Sequence, residues 1–357
     1  MLEADVEVDR RDFTVAAALR VAPGERLALF GPSGAGKTTV LEVIAGLVVP
    51  RRARITLAGR LLTSTEPPVC AVPPWQRRVG LLRQDPGLFP HLSVRDNLRY
   101  ARKRRSRPGA DGELAGLASV LGIDGLLDAM PVRLSGGQAH RVALGRLLLS
   151  HCDTLLLDEP YTGLDAGLRR VLTDLVVALV TERAVPAILV AHELAEAQAF
   201  ADRLAVLDHG TVLQLGTPDE VVLRPASRRV AELVGYSCFV RVPGAAGSVA
   251  GIHPERVIAG DQPDRGLVLA GAVTSCRPAG ALWETTMRPG GAAGGGGAAG
   301  GGAGGRDCGG EVSVTARLPE PRAAGQQLVI TAVDPPRFGP DGAALVPGYA
   351  DLSWERA

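Results

Sequence analysis

The chain has 357 residues, which is enough for two domains because a single hydrophobic core usually stops growing below this size. Hydrophobic residues make up 46% of the chain and the formal net charge is +1, so the charge gives no reason to expect a nucleic-acid partner. The five cysteines are scattered without a Cys-x-x-Cys pair. They fit neither a disulfide framework nor a zinc site, and they predict reduced thiols in a cytoplasmic protein.

No segment has the pattern of a secretory signal or the ~18–20 apolar residues of a membrane helix. Within residues 1–235, short apolar runs alternate with longer helical patterns. Three apolar runs have the length of strands: Arg26–Phe30, Thr154–Leu157 and Ala187–Ala191. Helical patterns lie at Thr38–Ala45 and Leu168–Thr181. Buried strands alternating with helices predict an α/β domain with a largely parallel sheet over residues 1–235.

The helical signal fades after Tyr236, and short β-like runs separated by Gly and Pro follow. These runs are Cys238–Val242, Gly266–Ala270, Glu311–Ala316 and Gln327–Val333. They predict a small β-rich domain, OB-like or barrel-like, over residues 236–357. The segment Gly290–Gly305 contains only Gly and Ala. Because it has almost nothing to bury, we expect a disordered insertion at about residues 289–310.

The strongest motif lies between the first apolar run and the first helical pattern, and fits G-x-x-x-x-G-K-[ST]. It consists of Gly31, Pro32, Ser33, Gly34, Ala35, Gly36, Lys37 and Thr38, with Thr39 following. Backbone N–H groups of such a loop form an anion nest, and the helix N-terminus adds a favourable dipole. Lys37 can reach the β- and γ-phosphates, and the Thr38 hydroxyl can ligate Mg²⁺. The motif predicts a site for ATP and Mg²⁺.

Two adjacent carboxylates follow the apolar run at Thr154–Leu157, namely Asp158 and Glu159. Such a pair is costly to bury without a task, because each charge needs partners. We expect Asp158 to hold Mg²⁺, directly or through water. Glu159 is the candidate general base that activates the attacking water.

Between these two motifs lies Leu134, followed by Ser135, Gly136, Gly137 and Gln138, and then a helical pattern over Ala139–Leu149. Ser135 and the glycines predict a second anion site at a helix N-terminus. This L-S-G-G-Q segment resembles the signature of the ABC transporter family, and the resemblance extends over essentially the whole first domain. It implies a P-loop NTPase fold of the ABC type with a helical subdomain. It also implies a head-to-tail homodimer in which each ATP lies between one subunit's phosphate loop and the other's signature.

The resemblance assigns three further residues. Gln84 matches the glutamine that contacts Mg²⁺ and the attacking water, Asp165 matches the aspartate at the dimer interface, and His192 matches the histidine that contacts the γ-phosphate. Some positions depart from the family. Arg83 stands where an aromatic or small apolar residue is usual, and Phe13, the aromatic nearest the adenine position, falls within a predicted strand over Phe13–Val21. We therefore do not expect Phe13 to stack on adenine.

Residues 77–100, together with Gly59–Thr63 and Leu121–Asp128, resemble molybdate-importer ATPases most closely. Sulfate, iron(III) and sugar importer subunits share much of this framework, so they stay open as alternatives, as do an export ATPase and a non-transport ABC ATPase. The resemblance implies a peripheral protein on the cytoplasmic face of the membrane. Its partners would be transmembrane permease subunits and an extracytoplasmic substrate-binding protein.

Ile252–Val257 resembles an element of the regulatory extension, of TOBE or Mop type, that follows many importer ATPases. Such an extension is either purely structural or an oxyanion sensor, and both readings stay open at the level of the sequence.

Overall fold

The computed structural model describes residues 1–100, 110–241, 248–262, 264–289 and 313–345. The chain divides into two compact units, Met1–Pro218 and Asp219–Ala357. The Gly/Ala tract that we predicted to be a disordered insertion lies outside the described residues. The four cysteines in the described part, Cys70, Cys152, Cys238 and Cys276, are free thiols.

The described residues of the first unit form one eleven-stranded sheet. Its strands are β1 (Leu2–Asp9), β2 (Thr14–Val21), β3 (Arg26–Phe30), β4 (Arg52–Leu57), β5 (Arg60–Ser64), β6 (Cys70–Ala71), β7 (Val79–Leu82), β8 (Thr154–Asp158), β9 (Ala187–Ala191), β10 (Arg203–Asp208) and β11 (Thr211–Gly216). The strand order is β6-β5-β4-β1-β2-β11-β10-β3-β9-β8-β7.

Half of this sheet is parallel. Strands β10, β3, β9, β8 and β7 pair in parallel, and every residue of β8 and β9 is buried, as expected for strands covered on both faces. The other half, from β6 to β2, is antiparallel, and β1 and β2 alternate between buried and less buried residues. The sheet is therefore mixed, and our prediction of a largely parallel sheet holds for the half that begins at β10.

Six helices belong to the described part of the first unit. They are α1 (Lys37–Ala45), α2 (Val94–Tyr100), α3 (Ala110–Val120), α4 (Gly136–Leu148), α5 (Ala166–Arg183) and α6 (Leu194–Phe200). The buried residues of α5 recur at helical spacing, at Leu172, Val176 and Val180, so one face of this helix packs inward. The predicted helices at α1 and α5 are confirmed, with ends that differ by one or two residues.

The second unit contains α7 (Pro218–Leu223), which begins at the boundary, and α8 (Arg228–Leu233), followed by eight strands in the described residues. The strands are β12 (Cys238–Arg241), β13 (Val249–Ile252), β14 (Val257–Ala259), β15 (Gly266–Ala279), β16 (Leu282–Pro289), β17 (Val314–Leu318), β18 (Gln327–Val333) and β19 (Arg337–Phe338). They form a curled five-stranded sheet, β14-β18-β15-β16-β17, and a three-stranded sheet, β12-β13-β19. The predicted β-rich region is confirmed.

The two units divide after Pro218, whereas the sequence placed a boundary near residue 235. The sequence boundary followed the loss of helical pattern, but two short helices belong with the strands that come after them. The Tyr236 hydroxyl donates to the Val222 carbonyl over 2.9 Å, and the Arg228 N–H donates to the Gly342 carbonyl over 2.8 Å. These contacts tie α7 and α8 to the second unit.

Candidate functional site

The strand order brings four of the predicted site segments to one edge of the sheet. The phosphate loop follows β3, His192 follows β9, Glu159 follows Asp158 at the end of β8, and Gln84 lies just beyond β7. These strands are neighbours in the order β3-β9-β8-β7 and run parallel. Their carboxyl ends therefore meet at one edge, which is where open α/β sheets bind ligands.

Packing explains why the phosphate loop needs glycine at two positions. Gly31 has φ +153°, and a Cβ atom built there would lie 1.9 Å from the Leu207 carbonyl oxygen. Gly36 has φ +102° and precedes α1, and a Cβ atom there would lie 2.7 Å from a Val15 methyl group. Both glycines let the loop approach β10 and β2 closely, because any side chain would force the backbone away. The backbone of the loop is thus fixed from outside the loop.

Lys37 is the first residue of α1, and only 5% of it is exposed. Its ammonium group donates to the Gly31 carbonyl over 2.7 Å and to the Pro32 carbonyl over 2.9 Å, so it closes the loop on itself. Burial lowers the pKa of Lys37, while the carboxylates of Glu159 and Asp158 oppose that shift. A cation held at the mouth of a loop of N–H donors fits the charge of a phosphate group.

Thr38 and Asp158 form the oxygen pair expected of a magnesium site. The Thr38 hydroxyl donates to Asp158 Oδ1 over 3.1 Å, and Asp158 is 2% exposed. Burial raises the pKa of Asp158, the Thr38 hydroxyl lowers it, and the negative charges of Glu159 and Glu42 raise it further. A buried carboxylate beside two other acids gains from a cation, and hydroxyl and carboxylate oxygens are the ligands that Mg²⁺ prefers. The residues present therefore fit the ion.

Glu159 adopts a left-handed backbone conformation, with φ +49°. This conformation is uncommon and costly for a residue with a side chain, and such costs gather at functional sites. The neighbouring backbone stabilises it, since the Glu159 N–H donates to the Val190 carbonyl over 3.2 Å. The carboxylate turns towards His192, with Oε2 lying 3.8 Å from His192 Nδ1. The predicted base and the predicted histidine are thus neighbours.

Gln84 is exposed, and no hydrogen bond in the described part of the chain joins it to Thr38 or Asp158. The residue before it, Arg83, contacts helix α1 instead. Arg83 donates to Glu42 Oε1 over 3.2 Å, and Glu42 lies on α1, one turn beyond Thr38. Arg83 could be singled out from the sequence, because it departs from the family pattern. Glu42 itself could not.

A second arginine reaches the same helix. Arg10 donates to the Thr39 hydroxyl from Nε over 3.1 Å and from Nη2 over 2.8 Å, and Nη2 also lies 3.7 Å from Glu42. The sequence did not single out Arg10. The aromatic that it did consider, Phe13, comes just before β2 and packs partly buried against the core.

The signature segment forms the predicted helix N-terminus. Ser135 is the N-cap of α4, its hydroxyl accepts from the Gln138 N–H over 3.3 Å, and the Gln138 side chain accepts from the Ser135 N–H over 2.9 Å. Asp165 caps α5 in a similar way, accepting from the Leu168 N–H over 3.0 Å. Within the described residues, no hydrogen bond or ion pair joins these two caps to the phosphate loop, so the predicted binding residues fall into two groups.

Comparison with known proteins gives a match to the part of the chain that contains most of these residues. Residues 16–162 match the family model described as ABC transporter. That range contains the phosphate loop, Gln84, the signature segment and both acids at the end of β8. Residues 16–162 therefore form a domain of the ABC transporter family. Asp165 and His192 lie beyond the matched range, Asp165 as the cap of α5 and His192 directly after β9.

Curated relatives of this ABC domain carry different import names. An "Fe(3+) ions import ATP-binding protein" of Mesorhizobium japonicum is 41% identical, covering 61% of this chain and 59% of the relative. A "Molybdenum import ATP-binding protein" of Salmonella typhi is 44% identical, covering 54% of each. Other relatives are named for sulfate/thiosulfate and for trehalose/maltose import. The chain thus spans less than two thirds of the length of the relatives it matches.

A solved structure titled "Structure of ATP binding subunit of ABC transporter" has a TM-score of 0.56 and 27% identity. The match covers 66% of this chain and 95% of that chain, so the likeness is to the ABC domain. Among the described residues, no helix is both long and apolar enough to cross a membrane.

Proposed function

We propose that the chain is the ATP-hydrolysing subunit of an ABC importer. The observation that supports the proposal is the Thr38–Asp158 hydrogen bond, which joins the phosphate loop to the end of the strand that precedes Glu159. The loop supplies N–H donors and Lys37 for the phosphates, and the acid that follows Asp158 is free to act on water. The left-handed backbone at Glu159 is a cost of the kind that gathers at functional sites, and it favours a role in hydrolysis over nucleotide binding alone.

Each residue has a role in this proposal. Residues 31–39 bind the phosphates of ATP, with Lys37 on the β- and γ-phosphates. Thr38 and Asp158 would hold Mg²⁺, and Gln84 would contact the ion and the attacking water. When bound, the ion supplies positive charge against the phosphate oxygens. Glu159 takes a proton from the attacking water, and His192 contacts the γ-phosphate.

The separation of the signature from the phosphate loop favours a two-subunit site. Ser135, Gly136, Gly137 and Gln138 offer an anion site at the start of α4 that the phosphate loop of the same chain does not use. A head-to-tail homodimer would bring the second subunit's signature to the ATP, with Asp165 at the interface. In the importer, the dimer would sit on the cytoplasmic face of the membrane, bound to permease subunits and served by a substrate-binding protein.

The proposed cargo is molybdate. The support is the likeness of residues 77–100 to molybdate-importer ATPases and the relative named for molybdenum import. Relatives named for iron, sulfate and sugars have similar identity, so a sulfate, iron(III) or sugar importer is the alternative. The ATPase subunit of such an importer does not contact the cargo, so its sequence indicates the cargo only through its similarity to related ATPases.

The activity is tested with the purified full chain. Glu159→Gln should leave ATP binding intact while slowing hydrolysis roughly 10²–10⁴-fold, the usual scale for a positioned acid or base. It should also trap an ATP-bound dimer, because the nucleotide between the subunits is no longer consumed. Glu182→Gln, an exposed acid on α5, is the control and should hydrolyse ATP normally. Hydrolysis by Glu159→Gln at the wild-type rate would contradict the assignment.

The shared site is tested by mixing subunits. Lys37→Ala and Gly137→Asp each inactivate a homodimer, but a mixed dimer keeps one site without either lesion. Activity of the mixture above that of either variant alone is expected. No gain on mixing, together with full activity in a strictly monomeric wild-type preparation, would contradict the two-subunit site.

The cargo is tested on the reconstituted complex with its permease and binding protein. ATPase activity should rise with added molybdate and not with sulfate at equal concentration. If sulfate, iron(III) or a sugar stimulates the ATPase activity and molybdate has no effect, the proposed cargo is wrong and the ATPase proposal stands.

A further inference from the structure

His192 lies between two carboxylates without a short contact to either. Its Nδ1 atom is 3.8 Å from Glu159 Oε2, and its Nε2 atom is 3.9 Å from Glu193 Oε1. Both distances exceed those of a hydrogen bond, and the side chain is 47% exposed. The ring therefore has a carboxylate on each side of it. Whatever fixes the Glu193 carboxylate also bears on the position of His192.

Arg169 fixes that carboxylate. Its Nη1 atom donates to Glu193 Oε2 over 2.6 Å, a short charge-assisted hydrogen bond. Glu193 is the N-cap residue of α6, yet its side chain makes no capping hydrogen bond to that helix. The Glu193 carboxylate thus accepts a hydrogen bond from Arg169 and lies beside His192, and it does not cap its own helix. An ion pair this exposed adds little to stability, so we attach importance to its geometry and not to its energy.

The position of Arg169 on α5 connects two predicted site segments. Its N–H donates to the Asp165 carbonyl over 3.0 Å, so the residue lies in the first turn after the Asp165 cap. Its guanidinium group reaches the start of α6, next to His192. One side chain therefore joins the segment expected at the dimer interface to the segment expected at the γ-phosphate.

A second carboxylate, that of Glu196, is also influenced by the charge of Arg169. Glu196 follows Glu193 by three residues on α6 and is 7% exposed. Burial raises the pKa of Glu196 to about 7, and Arg169 is the group that lowers it, against the charges of Glu193 and Glu159. The Nε atom of Arg169 is buried and has no hydrogen-bond partner within the described residues, so one donor is unused.

We propose that Arg169 is a positioning residue for ATP hydrolysis, which holds the Glu193 carboxylate and thereby presents His192 to Glu159 and the γ-phosphate. This inference rests on the proposed ATPase function and goes beyond it by linking the Asp165 segment to His192 within one subunit. Arg169 is not among the residues proposed to touch the nucleotide, so its loss should slow the chemical step and leave ATP binding almost unchanged.

The test compares Arg169→Gln with Arg170→Gln in the full chain. Arg170 is the next residue of α5 and is exposed, so it controls for the loss of a positive charge at this place. Arg169→Gln should lower kcat about 10-fold with KM for ATP changed less than about 2-fold, whereas Arg170→Gln should leave both near wild type. Arg169→Lys should restore part of kcat, because a single ammonium donor can still reach Glu193. Equal melting temperatures exclude a folding defect.

A double-mutant cycle with Glu193→Gln tests the route of the effect. If Arg169 acts through Glu193, the double variant should lose no more kcat than the worse single variant. Additive losses, or an Arg169→Gln variant that matches Arg170→Gln, would overturn the positioning role while wild-type hydrolysis and the Glu159→Gln defect stand. A wild-type chain without ATPase activity would overturn the proposed function and this inference together.

Discussion

The Thr38 hydroxyl donates to Asp158 Oδ1 over 3.1 Å, which joins the first turn of α1 to the end of β8 across 120 residues of sequence. Asp158→Asn keeps the shape of this side chain and removes its charge. Hydrolysis should fall roughly 10²-fold, since charge stabilisation by a bound metal is worth several kcal/mol. The melting temperature at pH 7 should stay equal or rise, because burial disfavours the ionised carboxylate.

Asp153→Asn is the matched control for this prediction. Asp153 precedes the other end of β8 and pairs with Arg78 over 3.0 Å at the surface. It should change neither hydrolysis nor melting temperature by much. A large drop in the melting temperature of Asp158→Asn would mean that the carboxylate is structural.

Two glycines of the phosphate loop should respond differently to alanine. Gly34 has φ +81° and open space where a Cβ atom would lie, so Gly34→Ala costs only the left-handed backbone, ~1–2 kcal/mol. At Gly31 the added atom also meets the Leu207 carbonyl oxygen at 1.9 Å. Gly31→Ala should therefore lower the melting temperature at least about twice as far as Gly34→Ala. Equal shifts in thermal melts of the two variants would contradict the close approach of loop and β10.

The stability of the first unit should depend on pH through Glu196. Its pKa is about 7 in the folded protein, above the ordinary value of 4.5. Below pH 4.5 the carboxyl is protonated in both states, and as the pH rises towards 7 the unfolded state gains the charge first. Stability is lost across this window, by roughly 3 kcal/mol in full above pH 7.

Glu196→Gln should therefore melt at the wild-type temperature near pH 5 and above it near pH 8, by ~6–12 °C. Glu182→Gln, an exposed acid on α5, should show no such dependence. A constant offset between Glu196→Gln and wild type at both pH values would mean that the carboxylate is paired and not simply buried.

Arg77 should be among the most costly residues to replace. It is 5% exposed, and its guanidinium donates to the Val43 and Ile44 carbonyls at the end of α1, to the Val72 carbonyl and to the Thr63 hydroxyl. Arg77→Met leaves these acceptors buried without donors, a loss of ~3–5 kcal/mol. Arg77→Lys should recover little of this stability, because an ammonium group cannot reproduce the planar set of donors of a guanidinium group.

The measurement is the melting temperature, which should fall by roughly 6–20 °C for Arg77→Met. Arg52→Gln is the control, since Arg52 makes an exposed pair with Glu66. If Arg77→Met has the same melting temperature as Arg52→Gln, the four hydrogen bonds contribute little to the stability of the folded unit.

Local patterns in the sequence predict the strands and helices around the site well. The loop before Lys37, the buried strand before Asp158 and the strand before His192 each carry a signal within ten residues. Contacts between segments that are far apart in the sequence carry no such signal. The neighbourhood of Glu159 and His192 depends on the pairing of β8 with β9, and the sequence does not state which strands pair.

Three other features escape the sequence for related reasons. The left-handed backbone at Glu159 depends on its hydrogen bond to Val190, and no residue type at position 159 announces it. In the sequence, Arg77 cannot be told from a surface arginine, because most of its acceptors are backbone carbonyl groups, which every residue has. The antiparallel half of the sheet follows from pairings of β1 with β2 and β4, which a search for buried runs passes over.

The ammonium group of Lys37 already occupies the carbonyl oxygens of Gly31 and Pro32. An arriving nucleotide must therefore compete with these two carbonyl oxygens for the ammonium group, and the affinity measured for ATP is a difference between two sets of contacts. Replacing Lys37 by alanine removes both sets at once, so such a variant reports the strength of the exchange and understates that of the phosphate contact itself. The same exchange lets the loop keep its shape between turnovers, ready for the next nucleotide.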